Sequence, residues 1–121
     1  MRSPWRVSAM LETIALVGIV RLADAQRIDV VLVSLTSPVG PGHDATIVVQ
    51  TAPGAHCLVG VAYKSGPSHA AGLAPKNADA KGRVAWTWRV GSATTPGTWP
   101  VTVVCAAGEQ QGTVTALLVV K

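Results

Sequence analysis

Past residue 25 the chain offers few residues with which to do chemistry. Its histidines are His43, His56 and His69, and its side-chain carboxylates are Asp29, Asp44, Asp79 and Glu109. A general acid and base pair needs two such groups held close together. These four carboxylates instead stand in separate turn signals or at the starts of apolar runs. Asp44 follows His43 as a turn leading into a strand, and Asp79 fits a turn closed by Gly82. Ser65 and Ser68 precede His69 without a G-x-S-x-G elbow around either serine. The histidines lack the H-x-x-x-H spacing of a helical zinc site. Gly40, Gly42 and Gly54 belong to Pro-Gly turns rather than to a loop that opens a helix and cradles phosphate. The residue types and spacings therefore point away from an enzyme, a metal site and a bound cofactor.

Tryptophan and cysteine remain. Three of the four Trp lie between Lys81 and Cys105, in a chain with no Phe and a single Tyr. Such a cluster is either a stacking platform for sugars or bases or the filling of a core, and the elements that position it decide which.

Of 121 residues, 49% are hydrophobic and only 13% charged, which excludes a disordered tail and leaves room for one domain. The formal net charge is +4. Beyond residue 25 the basic residues Arg27, Lys64, Lys76, Lys81, Arg83, Arg89 and Lys121 are scattered and form no stripe, so no nucleic-acid partner is expected. Residues 1–25 read as a secretory signal peptide, with "MRSPWR" as its basic start, "TIALVGIV" as its apolar stretch and "LADA" supplying Ala23 and Ala25 for cleavage before Gln26. Met10 is a second candidate start. The apolar run from Thr13 to Val20 is far shorter than the roughly 20 residues that span a bilayer, so no membrane insertion is expected after cleavage. Residues 26–121 then form the exported domain, secreted or at the cell surface.

That domain is written in apolar runs separated by Gly, Pro, Ser and Asn clusters, with no sustained helical period. Strands are predicted near Ile28 to Thr36, Ala45 to Thr51, Cys57 to Lys64, Arg83 to Val90, Trp99 to Ala106 and Gly112 to Val120, with a seventh near Ala70 to Ala74. Successive side chains in a strand face opposite ways. Val84, Trp86, Trp88 and Val90 therefore share one face, and Arg83, Ala85, Thr87 and Arg89 the other. The arginines mark the wet face, so Trp86 and Trp88 are expected in the core. Trp99 aligns with Val101, Val103 and Cys105 and is expected to point inward near a strand end. Cys57 shares its face with Val59, Val61 and Tyr63. Behind a signal peptide the two inward cysteines are expected to form a disulfide.

The stretch "ATIVVQTAPGAHCLVGVAYKSGPSHAAGLAPKNADAKGRVAWTWRVGSATTPGTWPVTVVC" resembles the bacterial immunoglobulin-like modules of secreted and cell-surface proteins, above all in "YKSGPS", in "ADAKG" before "VAWTW", and in "TPGTWPVTVVC". The likeness covers about two thirds of the chain, from Val39 to Lys121. It implies an all-β immunoglobulin-like sandwich of about seven antiparallel strands with one intersheet disulfide, Cys57 to Cys105, and a role in adhesion, scaffolding or protein recognition without catalytic residues. "NADAKG" is also distantly similar to the turn of the neocarzinostatin-type carrier proteins, which hold an apolar ligand between sheet and loops, although this chain has cysteines for one disulfide only. The expected partner is thus a protein or cell-surface component, with a carbohydrate or small apolar ligand as the alternative. Candidate ligand-binding residues are the exposed aromatics Tyr63 and Trp99, with Lys64 and Ser65 at the start of the long loop that ends at Gly82.

Overall fold

A computed structural model describes residues 27–121. The signal peptide expected at residues 1–25 lies outside them. Among the described residues every regular element is a strand: β1 (Val31–Leu35), β2 (Asp44–Gln50), β3 (His56–Tyr63), β4 (Gly66–Pro67), β5 (Lys76–Asn77), β6 (Arg83–Arg89), β7 (Gly97–Ala107) and β8 (Gln110–Val120). They form two antiparallel sheets. One runs β1-β2-β6; the other runs β4-β3-β7-β8, with β5 also paired to β3.

The core is built by the period of two read from the sequence. Along β6, Val84, Trp86 and Trp88 are buried and Arg83, Ala85, Thr87 and Arg89 are exposed. Trp86 and Trp88 are 0% and 1% exposed and pack with Ile47 and Val49 of β2, Val61 of β3, Val101 and Val103 of β7, and Leu118 of β8. Without Phe, two Val-rich sheets would leave gaps at the ordinary spacing of about 10 Å, and the indoles fill them. Their N–H groups are used as well. Trp86 Nε1 donates to the Ala74 carbonyl at 2.8 Å and Trp88 Nε1 to the Tyr63 hydroxyl at 3.1 Å.

Cys57 and Cys105 are bonded and fully buried. The bond is not intersheet as expected. Cys57 and Cys105 sit directly opposite one another on neighbouring strands β3 and β7 of one sheet, with α carbons 4.1 Å apart. Inward orientation was legible in both strands. Facing sheets and adjacent strands, however, put inward cysteines on the same side of the chain alternation, and only pairing order distinguishes them.

Two strand expectations also change. The segment Ala70 to Ala74 is not a strand: it lies across β6, with Gly72 at φ 96° and so close that an added Cβ would stand 2.0 Å from the Thr87 carbonyl oxygen. Only glycine accommodates both demands. The first strand is shorter than Ile28 to Thr36 because the segment changes sheets. Arg27 bridges in parallel to Gln111 of β8, β1 pairs with β2, and Val39 bridges in parallel to Val120 after the cis Ser37–Pro38 bond.

The two outward faces differ. On the three-stranded sheet Asp44 meets Arg89 at 3.4 Å, Thr46 meets Thr87 at 2.7 Å, and Gln50 accepts from Arg83 Nε at 2.8 Å. On the other sheet the outward positions are His56, Leu58, Gly60 and Ala62 of β3, Thr98, Pro100, Thr102, Val104 and Ala106 of β7, and Gln111, Thr113, Thr115, Leu117 and Val119 of β8. None is Asp, Glu, Lys or Arg.

Candidate functional site

The loops at one end of the sandwich gather three of the four predicted ligand-binding residues. Tyr63 ends β3, and Lys64 and Ser65 form the two-residue turn into β4, where Tyr63 pairs with Gly66. The β6–β7 loop stands opposite, in "GSATTPG". Its turn is closed by the Thr94 amide donating to the Gly91 carbonyl at 3.0 Å. Between the two loops lies a cleft of about 250 Å³ lined by Tyr63, Lys64, Ser65, Gly91, Ala93, Thr94 and Thr95.

The core sets the floor of this cleft. Tyr63 is half-buried, and its hydroxyl accepts the Trp88 indole N–H, so the ring is anchored from beneath rather than free to turn toward a ligand. Lys64 and Ser65 are exposed. They bring one cation and one hydroxyl to the rim. Trp99 does not line the cleft. It is half-buried against the core, lies over Gly97, and donates from Nε1 to the Thr95 carbonyl at 2.9 Å, so it braces the far wall. The wall residues Gly91, Ala93, Thr94 and Thr95 carried only a turn signal in the sequence, and no spacing marked them as facing Tyr63.

The titratable residues are dispersed. His56 Nδ1 is 2.9 Å from Asn77 Oδ1 at one corner of the uncharged outer face, His43 sits in the turn before β2, and His69 is exposed in the long loop. Among the described residues no three His, Cys, Asp or Glu side chains come together as a metal-binding group. Asp79 takes a structural part. Its Oδ1 accepts the backbone N–H groups of Arg83 at 2.8 Å and Lys81 at 2.9 Å, and these bonds hold its carboxyl below the ordinary value of 3.8. The turn it organises is closed by Gly82 at φ 81°, pressed against the Thr51 carbonyl.

A groove of about 480 Å³ between 27–31 and 111–113 is larger than the loop cleft. It opens at Arg27, where the described residues begin, so its volume is not that of a closed site. No known protein family matches the chain, and no curated protein matches it.

Proposed function

We infer that the chain is a secreted immunoglobulin-like module that acts without catalysis, in adhesion, scaffolding or protein recognition at or beyond the cell surface. The strand order supports the immunoglobulin-like reading: the first, second and sixth strands face a sheet led by the third, seventh and eighth. The disulfide is compatible with an oxidising, extracellular location. One observation carries the functional reading. Trp86 and Trp88, the aromatics with which a carbohydrate platform would be built, lie in the inter-sheet layer with both N–H groups bonded internally. What the loop end offers instead is a shallow cleft rimmed by Lys64 and Ser65, below the roughly 300 to 1,000 Å³ of small-molecule sites. A protruding side chain of a protein partner suits it better than an enclosed ligand.

The test is binding of the purified chain to surface proteins of the source cell, alongside Lys64→Glu and Thr94→Arg variants. Both substitutions lie on exposed or half-exposed loop positions, so Tm should hold while binding weakens by about tenfold or more. A saturable change in Trp99 emission on titration with an oligosaccharide or an apolar dye, abolished by Thr94→Arg, would replace this reading with the small-ligand one.

A further inference from the structure

Among the described residues nothing covers the β3-β7-β8 outer face. An antiparallel sheet with one face in water ordinarily alternates apolar residues inward with polar residues outward. The β2-β6 face obeys this with a charged pair and partnered polar side chains, and the apolar side chains exposed on that sheet, Val31, Leu32 and Val33, are confined to its edge strand β1. The β3-β7-β8 face instead exposes Leu58 by 48% and Leu117 by 62%.

Gly60 supplies a second, independent observation. It sits mid-strand in β3 opposite Thr102, and an added Cβ would meet nothing within 4 Å. Its φ lies outside the positive range, so neither backbone conformation nor internal packing requires glycine there. Glycine weakens a strand interior, and where it persists it often marks a place that another backbone or a ligand approaches closely. With Thr102 and Thr115 beside it in register, Gly60 forms a shallow hollow, with Leu58 a row away toward one end and Leu117 a row away toward the other.

We propose that this face is a self-association surface on which a second copy of the chain packs sheet against sheet. The proposal goes beyond the recognition role assigned to the loop-end cleft, which the paired faces leave open. Charge argues for a second copy as the occupant. The chain carries a formal net charge of +4, and two identical bodies of like charge pack stably only where no charge opposes its own copy. Along these strands only the ends beyond the face, at Lys64, Glu109 and Lys121, bear charge. A two-fold arrangement offers the leucine on each side of one hollow to the other copy. Area sets the strength. Three strands about 4.8 Å apart and about 30 Å long give a footprint of about 400 Å² per copy, or roughly 1,000 Å² of accessible surface in all once side-chain relief is included. That is the lower limit of a specific interface, so the dimer is reversible, with Kd in the micromolar range.

Sedimentation velocity of the purified chain from about 5 to about 500 µM tests this, spanning such a Kd. The expected result is a monomer–dimer equilibrium that high salt does not weaken, because no ion pair holds it. Leu117→Arg should raise Kd about tenfold or more. Gly60→Val should weaken the dimer likewise while leaving Tm unchanged or raised, since the added side chain fills only the hollow. Ala85→Arg, on the opposite outer face, should leave Kd unchanged. A chain that stays monomeric at the highest concentration overturns the proposal, and so does a dimer that withstands both Leu117→Arg and Gly60→Val.

Discussion

Breaking the Cys57–Cys105 bond gives a measurable loss of stability whose size follows from sequence separation and whose character follows from sheet order. The two residues are 48 apart in the chain, so the bond closes a loop of about 49 residues, and restricting the unfolded chain in this way contributes roughly 4 kcal/mol. For a domain of this size a slope of about 3 kcal/mol/M in guanidinium converts that into a midpoint shift of about 1 to 2 M. Both sulfurs are fully buried, so reductant reaches them only in the unfolded chain, and the reduced and oxidised samples must each be equilibrated through the transition. Tryptophan emission is the readout. Because the bond joins neighbours within one sheet, the contacts of Trp86 and Trp88 between the sheets survive its loss, and the reduced protein without denaturant should keep its blue-shifted emission. The slope should rise on reduction, since an unlinked unfolded chain exposes more surface. Transitions that coincide with and without reductant would refute the reasoning, as would two free thiols in the unreduced protein.

Replacing Trp86 or Trp88 with Ala should cost about 3 to 5 kcal/mol in denaturant titration, whereas Arg83→Ala on the exposed face of the same strand should cost well under 1 kcal/mol. Iodide should quench Trp86 and Trp88 poorly, and ready quenching of both in a stable fold would overturn their placement in the core. Asp79 makes stability depend on pH in acid: its folded pKa is lowered, so the folded state binds its proton less readily than the unfolded one. Its contribution is full above the ordinary value of 3.8 and is lost as pH falls below that value and through the lowered one. Thermal melts should therefore show wild type and Asp79→Ala differing in Tm at neutral pH and converging in strong acid.

The alternation in "RVAWTWR" was enough to sort β6 into its two faces, because a one-residue slip would have buried Arg83 and Arg89 without partners. "NADAKG" was equally legible, since an Asp followed three residues on by a Gly is a local device whose hydrogen bonds close within the turn. Pairing between distant strands was less so. That Cys57 faces Cys105 across adjacent strands depends on β3 lying beside β7, which no local spacing encodes. The collapse of Ala70 to Ala74 onto β6 depends on the Trp86 indole reaching the Ala74 carbonyl from the layer beneath. The cleft was half legible. Tyr63, Lys64 and Ser65 are contiguous, but their counterpart in "GSATTPG" is a sequence-remote loop brought opposite by the fold. The alternation of β7 placed Trp99 inward, where it is half-buried, whereas its place behind Thr95 rather than in the cleft follows from the loop's path.

The route taken by residues 27–39 bears on how the domain would respond to tension. This segment runs parallel to β8 and is hydrogen-bonded to it near both ends, through the Ile28 amide to the Gln111 carbonyl and the Val39 amide to the Val119 carbonyl, with the Lys121 amide returning to Val39. Arg27 and Lys121 consequently lie at opposite ends of a strand about 35 Å long. A pull applied between them acts along the strands and so across these bonds, which lie transverse to the strand direction. They are sheared together instead of opening one after another like a zip. Covalent reinforcement lies elsewhere, in the β3–β7 pair, and encloses the chain from Cys57 to Cys105. Stretching would thus detach the N-terminal segment and β8 while the stretch between the cysteines stayed tethered, limiting how far the chain could extend.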